Sequence, residues 1–306
     1  TRKYFFILHS LFYKKLCFCW FCLYICTSLK KYNMKFNTQI LLSILTLSII
    51  FSSCKEEEEV VTPQNDATAR VQVIHNCADL AASSVDIYLN NDLLIDNFTF
   101  RTASPFIDAP ANEEFSISVA PSTSASSSEA LVTYNYTLAE GGSYVLIADG
   151  TISPTGYSPA KAFSIEVYPM GREVASYATN TDLLIHHGST DAPTVDVVET
   201  GVGAGTIVDN ASYKDFTDYL ELPTSDYTLD IRDASGMTTV ATFSAPLATL
   251  NLMGMSAVVV ASGFLDPANN SNGESFGLYV ALPAGGALVA LPAGKKSNNP
   301  IPNPSF

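Results

Sequence analysis

The sequence predicts an all-β fold, organised as two tandem antiparallel β-sandwich domains. Three observations support this: short segments in which apolar and polar residues alternate, turn residues between those segments, and a second appearance of the same segments later in the chain. Alternation with a period of two is typical of a strand with one buried face. No stretch combines a 3.6-residue apolar period with helix caps. Several short strands at this spacing are characteristic of a β-sandwich.

The alternating segments and the turns between them can be placed individually. Two continuous apolar runs, 145–147 and 257–260, predict strands buried on both faces. The alternating segments are 71–73, 85–87, 115–119 and 227–231, and the turn signals are 90–92, 110–112, 141–142 and 235–236.

The repeat sets the domain organisation. Residues 69–76 and 85–88 recur at 182–187 and 195–198, 100–110 recur at 213–223, 115–120 at 227–232, and 144–150 at 257–263. A period this long indicates tandem domains and not a solenoid of short repeats. We therefore predict a first β-sandwich domain at 69–170 and a second at 180–294.

Charge and composition limit the classes of partner. The chain is 47% hydrophobic and 15% charged, which is the composition of a folded protein. Residues 1–53 contain seven basic residues and no acidic residue. Nine basic and 30 acidic residues therefore remain after position 53. A body this acidic repels phosphate backbones, which excludes nucleic acid as a partner, and it gains nothing from an anionic membrane surface.

Residues 1–33 differ from the rest of the chain. Their longest apolar run, 16–25, is shorter than the roughly 20 residues that span a bilayer. Their four cysteines lie in an aromatic run without turn residues, so a zinc site is not predicted. We interpret 1–33 as translated upstream sequence that is not coding; the alternative is a genuine membrane-associated segment.

The segment 34–53 has the order of a secretory signal peptide. Met34 and Lys35 form a short basic region, residues 40–51 are apolar, and Ser52 and Ser53 are small. Because Cys54 follows directly, the segment resembles a bacterial lipoprotein signal, with Phe51 where the usual residue is Leu. The resemblance implies that Cys54 becomes lipidated and is the first residue of the mature protein. A plain secretory signal before a cysteine is the alternative.

An acidic tether is predicted at 54–68. It begins with one lysine and four glutamates at 55–59, a run similar to the surface-export tag of some Gram-negative lipoproteins. A solvated, self-repelling linker has the same composition. The two interpretations are compatible.

The motifs of the repeat resemble those of domain of unknown function 4397. They are IHNCADLAASSVDIYLN, TASPFIDAPANEEFSISVAP and LAEGGSYVLIADG in the first copy and HHGSTDAPTVDVV in the second. The first copy lacks the proline of the Asp-Ala-Pro turn at 191–193. Over residues 69 to about 294, the resemblance implies exported, Ig-like β domains, often in tandem and on cell surfaces. It implies no activity.

Histidines and aspartates recur in the two copies without forming a predicted metal site. We align His75 with His186, followed by His187, and Asp86 with Asp196. A metal needs three or four converging ligands, which this spacing does not supply. We predict that each histidine fills a structural hydrogen-bonding position where its strand enters a turn.

The other candidate motifs also favour structural roles. Residues 266–274 have a calcium-like composition without the EF-hand spacing, so we predict a hairpin turn. The glycines at 201, 203 and 205 have no helix after them to hold a phosphate. We align Cys77 with Gly188 and interpret it as an incidental free thiol. No catalytic motif occurs, so no catalytic residue, metal ligand or cofactor is predicted.

These observations favour a non-enzymatic lipoprotein of a Gram-negative outer membrane, held by the lipid on Cys54 and displayed at the cell surface. We expect a binding or adhesion module for a glycan or protein; the alternative is a structural spacer or stalk. Exposed clustering of Tyr134, Tyr136 and Tyr157 would favour binding. The tail, 295–306, contains Pro-Asn-Pro and resembles the start of a type IX secretion sorting domain, with a disordered tail as the alternative.

The anchor prediction can be tested by metabolic labelling. Cells that express the chain should incorporate labelled palmitate into it, and Cys54→Ser should abolish the label because the acceptor thiol is gone. Cys77→Ser is the matched control and should keep the label. A Cys54→Ser chain that still takes up palmitate would show that the lipidation prediction is wrong.

Overall fold

The computed structural model describes residues 67–294. The segment 1–33, the signal peptide at 34–53, Cys54, the tether up to residue 66 and the tail at 295–306 lie outside the described residues. Within residues 67–294, no helix is long and apolar enough to cross a membrane.

The first half of the described chain forms a two-layer sandwich. An outer sheet has the strand order β3-β2-β6-β7, and an inner sheet is built around β1 and β8, with β4, β5 and β9 at its sides. The strands are β1 (Thr68–His75), β2 (Ser84–Leu89), β3 (Asp92–Thr99), β4 (Thr102–Ala103), β5 (Ile107–Pro110), β6 (Glu114–Pro121), β7 (Val132–Thr137), β8 (Ser143–Asp149) and β9 (Ser164–Tyr168).

The second half repeats this arrangement. Its outer sheet has the order β12-β11-β14-β15 and its inner sheet the order β13-β10-β16-β17-β19, while β18 crosses to the first sandwich and pairs with β4. The strands are β10 (Asn180–His187), β11 (Val195–Glu199), β12 (Gly205–Ala211), β13 (Leu220–Pro223), β14 (Asp226–Asp233), β15 (Thr239–Pro246), β16 (Ser256–Ser262), β17 (Gly277–Ala281), β18 (Gly286–Ala287) and β19 (Val289–Ala290).

The prediction of two β-sandwiches is confirmed, with one feature that the alternation did not predict. Each inner sheet contains a parallel pair: β1 runs parallel to β8, and β10 parallel to β16. Parallel neighbours need a long crossover connection. Here the crossover passes through the whole outer sheet, and the remaining ladders are antiparallel.

Three apolar cores explain the burial pattern. Each sandwich has its own core between its sheets, and a third core lies between the two inner sheets. In β1, Val71 and Val73 face the first sandwich's own core, whereas Ile74 faces the second sandwich. The continuous apolar runs at 145–147 and 257–260 are buried on both faces, as predicted, because the other sandwich covers their second face.

Two basic residues at equivalent positions cross between the sandwiches. Arg101 donates to the Ser275 carbonyl oxygen at 2.7 Å and lies over the Tyr279 ring, 3.9 Å from its centroid. Lys214 forms an ion pair with Glu166 at 2.7 Å. Each contacts the opposite sandwich, so the two copies are related by an approximate exchange symmetry.

A buried polar cluster lies at the centre of this interface. Asn76 donates to Asp149 Oδ1 at 2.7 Å, and His186 Nε2 lies 2.6 Å from Asp149 Oδ2. All three side chains are almost completely buried. A Cβ on Gly188 would lie 2.1 Å from Asn76 Nδ2 and 2.5 Å from Asp149 Oδ1, so the absence of a side chain at position 188 leaves room for the cluster.

We predict that Gly188→Ala lowers the free energy of unfolding by about 2–3 kcal/mol, since the new methyl group displaces the Asn76 amide and leaves the buried Asp149 Oδ1 without that donor. Urea unfolding of Gly188→Ala, Asn76→Ala and the double variant measures the effect. In the Asn76→Ala background the Gly188→Ala change should cost less, because its main collision is gone. Additive costs would contradict the proposed contact.

Candidate functional site

The structure changes the alignment of the predicted histidines. His75 lies opposite Ala148 of β8, and His187, not His186, occupies the matching position opposite Ala261 of β16. Our alignment of His75 with His186 is therefore wrong by one residue. In β-structure a shift of one residue moves a side chain to the opposite face.

The two equivalent histidines have the structural role predicted for them. His75 Nε2 donates to the Ala82 carbonyl oxygen at 2.7 Å, and His187 Nε2 donates to the Pro193 carbonyl oxygen at 3.1 Å. Each bond closes the loop that follows the first strand of its sandwich. Burial lowers the pKa of His75 to about 4 and also lowers the pKa of His187.

His186 belongs to the domain interface. It bonds Asp149 of the first sandwich and lies against the Phe216 ring with a centroid distance of 4.2 Å. Both members of this His–carboxylate pair are fully buried. The pair joins the two sandwiches.

The two aligned aspartates hold equivalent bulges. Asp86 Oδ1 accepts the backbone N–H of Asn97 at 3.0 Å, and Asp196 Oδ1 accepts that of Asn210 at 2.7 Å. Both asparagines have a left-handed backbone, with φ of 53° and 52°. Each carboxylate therefore stabilises a register shift between the first two strands of its outer sheet.

The glycine-containing loop after β11 surrounds a carboxylate of its own chain. Glu199 is buried and accepts the backbone N–H of Gly201 at 2.6 Å and that of Gly203 at 2.9 Å. Burial alone would raise the pKa of Glu199, but these and neighbouring backbone donors hold it below its usual value. The loop donors are thus occupied and hold no phosphate.

The polar loop at 266–274 connects the antiparallel strands β16 and β17. Its Asp266 caps the short 3-10 turn Pro267–Asn269, and its buried Asn270 donates to Asp191 Oδ2 at 3.1 Å. Within the described range 67–294, no group of three or more His, Cys, Asp or Glu side chains is arranged to hold a metal.

Cys77 has a serine as its counterpart. Its thiol donates to the Gly150 carbonyl oxygen at 3.1 Å, and Ser189 donates to the Gly263 carbonyl oxygen at 2.7 Å in the same way. The alignment of Cys77 with Gly188 is therefore wrong by the same one-residue shift as the histidines. Burial raises the pKa of the Cys77 thiol to about 12.

The three tyrosines do not form an exposed patch. Tyr134 and Tyr136 are half-buried on the core-facing side of β7, and Tyr157 is buried. Tyr157 donates to Asp79 Oδ1 at 2.8 Å and lies against the Phe264 ring. The exposed cluster of tyrosines that would favour binding is therefore not formed.

Two aspartates that the sequence did not single out organise one end of the molecule. Asp79 accepts the backbone N–H of Ser153 at 2.6 Å, and Asp191 accepts that of Asp266 at 2.8 Å. Although burial would raise the pKa of Asp79, its hydrogen bonds hold it below its usual value. Aligning the copies in the correct register, with Asp79 opposite Asp191, would have identified them.

Four loops form a continuous surface at this end, which we call the loop face: 76–83, 150–163, 188–194 and 263–276. They lie together because β1, β8, β10 and β16 end here in parallel pairs. The Ser158 N–H donates to Asn270 Oδ1 at 2.9 Å, and Ser271 donates to the Gly156 carbonyl oxygen at 2.9 Å. Loops from both sandwiches thus form one surface.

A cleft of about 320 Å³ opens beside the loop face. Its walls include Leu80, the half-buried Phe100, the guanidinium of Arg101 and the carboxylate of Glu274. Leu80 is 51% exposed, and Arg101 lies 3.5 Å from Glu274. The cleft combines apolar contact area with charged hydrogen-bonding groups from both sandwiches.

Comparisons with known proteins identify a matching family. The family model described as Domain of unknown function (DUF4397) matches residues 69–163 and 181–270. The two matches correspond to the two sandwiches and confirm the tandem arrangement. No curated protein matches the chain.

Three solved structures show low similarity. One concerns alpha-glucan binding by a streptococcal virulence factor (7% identity, 63% of this chain, 92% of that chain, TM-score 0.21). Another concerns alpha-glucan recognition by family 41 carbohydrate-binding modules from streptococcal virulence factors (10% identity, 63% of this chain, 93% of that chain, TM-score 0.21). The third is a candidate adhesin from Bacteroides ovatus (10% identity, 75% of this chain, 96% of that chain, TM-score 0.20). TM-scores at this level do not establish a shared fold.

The depressed pKa of His75 predicts how stability depends on pH. Above pH 6.5 the imidazole is neutral in both folded and unfolded chains and contributes nothing. As the pH is lowered from 6.5 to about 4, the unfolded chain takes up the proton before the folded chain does. The free energy of unfolding therefore decreases over this range, by up to roughly 3 kcal/mol. Urea unfolding at pH 7 and 4.5 should show a smaller loss in His75→Gln than in the wild type. Equal losses would contradict the burial of a neutral His75.

Proposed function

The chain belongs to the family described as Domain of unknown function (DUF4397), and from that premise we propose that it is a non-catalytic binding or adhesion module of the cell envelope. The lipid on Cys54 attaches it to the outer membrane of a Gram-negative bacterium, and the two sandwiches are displayed at the cell surface. The ligand is a glycan or a protein.

The observation that carries this proposal is the loop face. Its loops are held by carboxylates that accept backbone hydrogen bonds, the buried Asp79 in one sandwich and the half-buried Asp191 in the other. One hydrogen bond from Ser158 to Asn270 and another from Ser271 to Gly156 join the two sets of loops. A binding surface held in one geometry loses little conformational entropy when it meets its ligand.

The direction of β1 adds to the argument. The described chain enters the first sandwich at Thr68, and β1 ends at His75, where the loop face begins. The loop face therefore lies at the end of β1 opposite to Thr68, the residue that follows the predicted tether in sequence. A tethered protein that contacts ligands beyond the cell is best served by a surface at that end.

Lipidation accounts for an attachment that charge cannot provide. The acidic body is repelled by anionic headgroups. Two or three acyl chains, each contributing about 0.8 kcal/mol per buried methylene, hold a protein at a membrane without any contribution from its charge.

The cleft offers the chemistry of a polar ligand. Arg101 and Glu274 supply donors and acceptors, and Phe100 and Leu80 supply apolar surface. Sugars and exposed peptide loops both present hydroxyl or carboxyl groups beside apolar patches. This composition fits a glycan or protein ligand.

A structural spacer is the second candidate. It is favoured by the burial of the predicted tyrosine patch and by the extent of the contact between the inner sheets. A spacer needs two sandwiches held at a fixed geometry and needs no ligand. It differs from the binding module in predicting that variants of the cleft have no effect on attachment.

Glycan arrays and pull-downs with defined surface proteins separate these candidates, using the full chain in lipid nanodiscs. Leu80→Glu and Glu274→Lys should weaken binding at least tenfold, because they alter the shape and charge of the cleft. Met253→Glu is the matched control: Met253 is 61% exposed and precedes β16 at the opposite end. Silence in both assays, or equal losses in all three variants, would reject the binding module.

A further inference from the structure

We propose that the second sandwich binds a small hydrocarbon group in a cavity between its two sheets. The cavity encloses about 150 Å³. Inner-sheet residues such as Leu183 and Val259 and outer-sheet residues such as Val197 and Leu229 form its walls. Apart from His186, His187 and Tyr227, every lining side chain is apolar. This site is separate from the cleft and does not depend on the proposed function.

The first sandwich provides an internal reference, since the corresponding space there is only about 20 Å³. In the first copy Phe98 lies opposite Val85 and is buried in the core. In the second copy Ala211 occupies this position, opposite Val195. Replacing a phenyl ring by a methyl group opens the space.

Two further positions change in the same direction. Tyr136 lies opposite Phe115 in the first sandwich, whereas Ala245 lies opposite Tyr227 in the second. Val132 of the first copy is likewise matched by Ala241, opposite Ile231. Three large-to-small differences, one on β12 and two on β15 of the same outer sheet, thus leave a cavity in one copy that is filled in the other.

The size and chemistry of the cavity define its occupant. Walls that are almost entirely apolar give water few hydrogen-bonding partners, so the cavity favours an apolar occupant over water. An empty cavity also leaves its lining atoms without dispersion contacts. Dry apolar cavities of about 150 Å³ accept benzene. The occupant is therefore a benzene-sized apolar group, either a free small molecule or the end of an alkyl chain.

The cavity has a route to solvent at the loop face. Among its lining residues, Ala192 and Pro193 belong to the loop after β10, and Leu265 belongs to the loop after β16. Leu265 is 51% exposed. A polar headgroup can stay in solvent at this opening while a chain end enters between the sheets.

Methyl NMR of the full chain in lipid nanodiscs tests the proposal, with benzene and decanoate as the two probes. Benzene should shift the methyl signals of the second sandwich, such as those of Leu183 and Val197, and leave those of Val73 and Ile87 unchanged. A shift with decanoate as well identifies an alkyl-chain site; a shift with benzene alone identifies a site for small free molecules.

Variants copied from the first sandwich provide the controls. Ala211→Phe should weaken probe binding at least tenfold by filling the space. Ala241→Val is the milder second variant, used if the ring disturbs the fold, and it should weaken binding severalfold. In the first sandwich, Phe98→Ala should create probe-dependent shifts that the wild type lacks.

Three outcomes would overturn the proposal. The first is the absence of shifts in the second sandwich with either probe, and the second is equal shifts in both sandwiches. The third is unchanged probe affinity in a folded Ala211→Phe or Ala241→Val protein. Because the cleft variants used for the proposed function do not line this cavity, failure of one proposal leaves the other standing.

Discussion

The packing of the two inner sheets against each other is the constraint on which the rest of the structure depends. It gives strands such as β8 and β16 a second buried face and requires apolar residues there, including Val145, Ile147 and Val258. A buried interface also favours polar groups that are paired, and the Asp149 carboxylate there pairs with the Asn76 amide and the His186 ring. The fixed position of one sandwich on the other follows, and the loop face exists because of it.

The sequence predicts strands and their repeat well because alternation and turn residues are local properties. The pairing of the two copies was less secure, since two adjacent histidines offer two registers that local pattern cannot separate. In the correct register, Asn76 after His75 corresponds to Gly188 after His187. These two residues meet in the structure, because the missing side chain of Gly188 leaves the space that Asn76 occupies. This contact joins the two sandwiches, so the sequence pattern within one copy does not reveal it.

Site prediction had the same limit. The sequence drew attention to histidines and tyrosines, yet these mostly close loops or fill cores. The organising groups are carboxylates, Asp79 and Asp191, whose partners lie about 75 residues along the chain. Their importance arises from the number of donors that converge on them, and this property is not encoded in local spacing.

The difference between the copies follows from the same inner-sheet packing. A cavity of about 150 Å³ costs on the order of 4 kcal/mol, at roughly 24 cal/mol per Å³. A lone sandwich would lose a large share of its stability to such a defect. Here the second sandwich shares a buried face with the more tightly packed first sandwich, and β18 extends from it to pair with β4. The apolar area buried in these contacts offsets part of the cost of the cavity.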